Sequence, residues 1–104
     1  MATPTPVLCL YTPKAGKEDE FIALIREHGT ALRSAGLITD TPVRAWRAHN
    51  RSGTPLLVEL FEWRDADSSR QAHDHPEVKA VWDPMGAIAD DMQFNHLEPL
   101  DVSE

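Results

Sequence analysis

The period of the apolar positions changes several times along the chain, and each change marks an element. Val7-Leu8-Cys9-Leu10-Tyr11 is an unbroken apolar run closed by Pro13, which predicts a first buried strand. The Thr/Pro-rich residues 1–6 before it read as an extended lead-in, because proline denies a helix its backbone donors. Pro13-Lys14-Ala15-Gly16 supplies a turn, and from Lys17 the period lengthens to 3.6. Phe21, Leu24, Ile25, His28, Leu32 and Ala35 then fall on one stripe. Glu18, Asp19 and Glu20 crowd the first turn, Arg33 sits in the last, and Gly36 follows as a stop. These placements suit the helix dipole and a left-handed C-terminal residue, and they predict a helix over 17–35.

After a connection at 37–41, residues 42–49 read as a second strand. Asn50-Arg51-Ser52-Gly53-Thr54 is a hairpin-length polar loop, and 55–63 follows as a third strand. Asp65 is placed to cap a helix through Asp74. His75-Pro76 restarts the helix with proline at its favoured first position. Val78, Val81, Trp82, Met85 and Ile88 continue a helical stripe, which Pro84 is expected to kink or break near Asp83. Residues 92–97 form a last strand, and 98–104 an acidic tail.

The order β-α-β-β-α-β predicts an α+β, ferredoxin-like domain with an antiparallel four-stranded sheet. Right-handed crossovers put both helices on one face of that sheet. Strand three is nevertheless apolar on both sides, Leu56, Val58 and Leu60 alternating with Leu57, Phe61 and Trp63. Helices on one side cannot cover both sets, so a second copy of the chain is expected on the bare face, giving a homodimer through the sheets.

A length of 104 residues fits one domain. Seventeen acidic against ten basic side chains give a net charge of −7, which argues against nucleic acid as a partner. Cys9 is the only cysteine, so a disulfide within the chain and a cysteine-built zinc site are excluded. No apolar run is long enough to span a membrane as a helix, and the N-terminus lacks a secretory signal, so the cytoplasm is the expected compartment. No phosphate-binding glycine loop, serine elbow or His-Glu-x-x-His is present.

Several of these segments resemble the antibiotic biosynthesis monooxygenase domain: the opening strand with Pro-Lys-Ala-Gly-Lys-Glu-Asp-Glu-Phe at 13–21, and Val-Glu-Leu-Phe-Glu-Trp-Arg-Asp at 58–65. Ala72-His73 and a downstream His-Pro-x-Val at 75–78 extend the likeness, which covers about residues 6–98. The resemblance implies a dimeric α/β barrel in which each subunit keeps a pocket between its own sheet and helices. It also implies cofactor-independent oxygenation of a small aromatic or polycyclic hydroquinone-type substrate. The alternatives are a non-catalytic dimer that binds a small apolar ligand or serves a stress-related role, and an isomerase or lyase on the same scaffold. The haem-degrading branch would need an asparagine, a tryptophan and a histidine where this chain has Cys9, Ala72 and Trp82, so haem degradation is not expected.

Oxygenation without a cofactor needs a base, donors for the developing oxyanion and a dry cavity. Glu59 shares strand parity with Leu57, Phe61 and Trp63, so its carboxylate sits among large apolar side chains. It is either a base or half of an ion pair with Arg44 or Arg47 on the neighbouring strand. His96, in parity with Met92 and Phe94, is the second candidate base. Tyr11 is a candidate oxyanion donor, and Cys9 shares its parity at the position matching the family's pocket. His28 on the first helical stripe reads as a hydrogen-bonded core histidine or a pocket wall. His73, Trp82 and Trp63 complete the expected pocket, and Trp46 is another ring suited to stacking. His73-Asp74-His75 has two potential metal ligands, but on a helix they diverge by about 200°, so no metal site is assigned.

Overall fold

The computed structural model describes residues 3–103; Met1 and Ala2 of the lead-in and Glu104 of the tail lie outside them. The elements run β1 (Thr5–Pro13), α1 (Glu18–Ser34), β2 (Arg44–His49), β3 (Pro55–Trp63), α2 (Ser68–Asp74), α3 (Pro76–Ala87) and β4 (Ala89–His96). The four strands form one antiparallel sheet in the order β2-β3-β1-β4. This is the α+β ferredoxin-like arrangement.

Sequence chemistry accounts for the element ends. At the end of α1, Gly36 takes φ 71°, a left-handed conformation that glycine adopts at no side-chain cost. Its N–H donates to Arg33 O at 3.0 Å and the Leu37 N–H donates to Leu32 O at 3.1 Å. Those two bonds define a Schellman cap, and Leu32 and Leu37 are both buried beneath it. Asp65 Oδ1 accepts from the backbone N–H groups of Asp67 and Ser68 and from the Ser68 hydroxyl, so it caps the turn that leads into α2.

Of the two outcomes expected at Pro84, the break does not occur: the last helix runs through Pro84 to Ala87. Pro84 has no N–H for the carbonyl of Ala80, four residues earlier. Ala80 is exposed, so water can take that carbonyl and the helix continues. The final strand also begins earlier than expected, at Ala89, because Lys14 donates to Ile88 O at 2.8 Å and pins the chain to β1 at once.

The helices cover one face of the sheet. Val7, Cys9 and Tyr11 of β1 and Leu57, Glu59, Phe61 and Trp63 of β3 point into that core, with Phe21, Ile25, His28 and Leu32 of α1 and Val78, Val81 and Met85 of α3. The opposite face carries Leu8, Leu10, Leu56, Val58 and Leu60, all half-buried, and Trp46, which is 41% exposed. Among the described residues, no helix is long and apolar enough to cross a membrane.

Candidate active site

The helix-facing side of the sheet contains a buried polar series. Glu59 is fully enclosed, flanked in register by Cys9 on β1 and Ala45 on β2. Neither small neighbour can neutralise a carboxylate, so its partners come from farther away. Tyr11, opposite Leu57 and therefore diagonal to Glu59, donates its hydroxyl to Glu59 Oε1 at 2.6 Å. His28 descends from the apolar stripe of α1 and places Nδ1 2.9 Å from Oε1 and 3.1 Å from Oε2.

The imidazole is completed from α3, where the Trp82 indole N–H donates to His28 Nε2 at 2.8 Å. Indole nitrogen is a donor only, so Nε2 is the acceptor nitrogen and the neutral ring carries its proton on Nδ1, facing Glu59. Every polar atom of this series therefore has a partner of the right sense. The expected ion pair of Glu59 with Arg44 or Arg47 does not form. Arg47 lies opposite Leu57 and reaches out to Glu18 at 2.6 Å, while Arg44, opposite Leu60, stacks 4.8 Å above the Trp46 ring on the far face.

Burial, and after it the Glu59 charge, push the Tyr11 phenol far above its ordinary range, so the hydroxyl keeps its proton. The same two causes in the same order push the Cys9 thiol up, which leaves it a protonated, buried group rather than a nucleophile or thiolate ligand.

Beside this series lies a cavity of about 190 Å³ between the sheet and the second helical segment. Val7, Trp63, Met92, Phe94 and His96 line it from the sheet, Ser69 and His73 from α2, and Trp82 from α3. The walls are mainly apolar and aromatic, with the His73 ring 4.9 Å and the Phe94 ring 6.1 Å from Trp82. The indole N–H of Trp63 is buried and, among the described residues, has no hydrogen-bond partner.

The residues singled out from sequence thus fall into two groups. Trp63, His73, Trp82 and His96 line the cavity. Glu59, Tyr11, His28 and Cys9 are fully buried beyond its lining, and Trp82 touches both groups. Trp46 stands on the opposite face of the sheet, away from the cavity. Ser69 escaped the sequence reading; its only signal is its position one helical turn before His73. His73 faces the cavity, whereas His75 sits between α2 and α3 in extended backbone. Among the described residues, no group of three or more His, Cys, Asp or Glu is arranged to hold a metal ion.

Comparison with solved structures places this architecture. Rv0793 from Mycobacterium tuberculosis superposes with a TM-score of 0.70 at 16% identity, over 98% of this chain and 100% of that one. A mutant of SnoaB, a cofactor-independent oxygenase from Streptomyces nogalater, gives 0.71 at 14% identity, over 99% and 100%. The putative antibiotic biosynthesis monooxygenase from Nitrosomonas europaea gives 0.72 at 8% identity, over 100% and 97%. No protein-family model matches the chain, and no curated protein matches it. Full-length superposition on proteins of this kind means that the chain carries the α+β fold of the antibiotic biosynthesis monooxygenase domains.

Proposed function

We propose that the chain is a cofactor-independent oxygenase of small hydroquinone-type aromatics, with His96 as base. The observation that carries this reading is the cavity itself. It joins aromatic walls with an imidazole at the sheet edge, an apolar recess with a convergent titratable group. Cavities of about 150 Å³ hold benzene, so 190 Å³ suits one ring or two small fused rings rather than a larger polycycle. The fold shared with a cofactor-independent oxygenase supports the same chemistry.

In this reading His96 takes a proton from a ring hydroxyl, and the electron pair stays on oxygen, facing the imidazolium that has formed. The anion then reduces dioxygen. One oxygen atom joins a ring carbon and the other leaves as water, so a hydroquinone becomes a hydroxyquinone and supplies all four electrons. Tyr11 and Glu59, bonded to each other, act as positioning residues. Oxygen uptake with a panel of hydroquinones and no added cofactor tests this. His96→Ala is expected to lower kcat about 100-fold, and uptake no greater than that of heat-denatured protein across the panel refutes the reading.

The functional unit in this proposal is a homodimer joined through the open sheet face. The row of Leu8, Leu10, Leu56, Val58 and Leu60 supports it, since a contiguous apolar surface of this kind marks an interface. Sedimentation should give twice the chain mass for the wild type and the chain mass for Val58→Asp. A monomeric wild type at micromolar concentration contradicts it.

A further inference from the structure

Trp82 has two faces with different neighbours. One side lines the cavity, and its N–H is donated inward to His28 Nε2. Behind it stands an imidazole already arranged as a base: its acceptor nitrogen meets the indole and its Nδ1–H is held by the enclosed Glu59 carboxylate. A carboxylate holding one imidazole nitrogen while the other takes a proton is the arrangement of His-carboxylate catalytic pairs. Here the indole occupies the place a substrate donor would take.

Trp82 also lies two residues before Pro84, in a stretch of α3 that lacks one helical hydrogen bond. It is only half-buried, whereas the other three members of the series lie in the core, His28, Glu59 and Tyr11 all being fully enclosed. The member of the series that borders open space is therefore the one closing off the imidazole.

The geometry points to Trp82 as a displaceable gate and to His28 as a second base behind it. This rests on the aromatic-substrate reading above. The ligand that opens the gate must replace what the indole provides, a flat ring carrying an O–H or N–H donor, and a phenolic hydroxyl meets that requirement. Once the hydroxyl has replaced the indole N–H, its O–H bond breaks, Nε2–H forms and the electron pair remains as phenolate. The resulting imidazolium faces Glu59, which Tyr11 holds in place. Opening also joins the space of the indole to the cavity, which admits larger rings than the closed 190 Å³ does.

Nuclear magnetic resonance of the 15N-labelled full chain tests this without turnover. Phenol is the probe, and toluene, of similar size but with no donor, is the control. Phenol should shift the Trp82 indole N–H and the His28 ring nitrogens and bind about ten-fold more tightly than toluene, one tenfold step being the scale of a single net hydrogen bond. Trp82→Phe, which keeps a ring but removes the competing donor, should widen that preference, and His28→Leu, which removes the acceptor, should narrow it to what His96 alone confers; an unchanged preference in His28→Leu would overturn His28 as acceptor. Shifts confined to His96 and Phe94 would overturn the gate and leave the cavity reading standing. Equal affinity for phenol and toluene would overturn His28 as acceptor. Binding of neither would remove both the gate and the cavity reading.

Discussion

Tyr11→Phe isolates the buried polar series better than any other substitution. It deletes one oxygen and keeps the ring, whose packing against Phe21 at 4.9 Å and Phe94 at 5.9 Å is unchanged. What disappears is a 2.6 Å donation to a carboxylate, with both residues fully enclosed. Hydrogen bonds to charged groups contribute about 1.5–3 kcal/mol, and a buried acceptor deprived of its donor lies at the upper end of that range. Glu59 would retain His28 alone. A loss of about 2–3 kcal/mol is therefore expected, which for a chain of this length lowers Tm by roughly 10–15 °C. Urea unfolding followed by circular dichroism should show a lower midpoint at unchanged slope. In a Glu59→Leu background the same change should cost nothing, because the acceptor has gone, and the cycle should return a coupling of about 2 kcal/mol. A cost below about 0.5 kcal/mol in the wild type, or an equal cost in both backgrounds, would refute the assignment of Tyr11 as a donor that sustains Glu59.

Two further outcomes follow from the same structure. Cys9 and Tyr11 are both raised above their ordinary values of 9.0 and 10.0, so the unfolded chain releases protons that the folded chain retains. Their contribution is fully present well below pH 9 and is lost progressively as pH rises from the unfolded values toward the higher folded ones; the urea midpoint should fall steadily above pH 9, and Cys9 should resist iodoacetamide until the chain unfolds. A flat midpoint between pH 8 and 11 would contradict this. Gly36→Ala meets no steric neighbour yet forces a side chain into left-handed backbone, so thermal unfolding should report a loss of about 1 kcal/mol; an unchanged Tm would mean that the Schellman cap contributes little.

Much of the candidate site was legible as separate residues. Strand parity alone put Glu59 on the face of Leu57, Phe61 and Trp63, and helical periodicity put His28 on the buried stripe of α1. Their contact, across 31 positions of sequence, was not legible. It depends on how far α1 slides along the sheet, and no spacing rule encodes that distance. The expected arginine partner failed for a related reason: parity permits Arg47 on the helix-facing side, but the hairpin register sets Ala45, not an arginine, opposite Glu59. Arg47 is left near the rim, where Glu18 meets it in solvent.

Local rules act within a few residues, and at that range the sequence was sufficient. Gly36 ends α1, Pro76 begins α3, and the 2.0 and 3.6 periods assign the faces of β1, β3 and α1 without reference to anything distant. Even at this range Pro84 left a kink and a break both open, and the helix continues because the exposed position of Ala80 lets water take the freed carbonyl. The tertiary structure alone decided which polar groups satisfy one another and which face the cavity. A hydrogen bond is made or lost within a few tenths of an ångström, and the positions of Tyr11, His28, Glu59 and Trp82 are fixed by the packing of two helices on one sheet. That packing connects Trp82 to His28 on one side and to the cavity on the other, a relation set by long-range contacts rather than by any pattern along the chain.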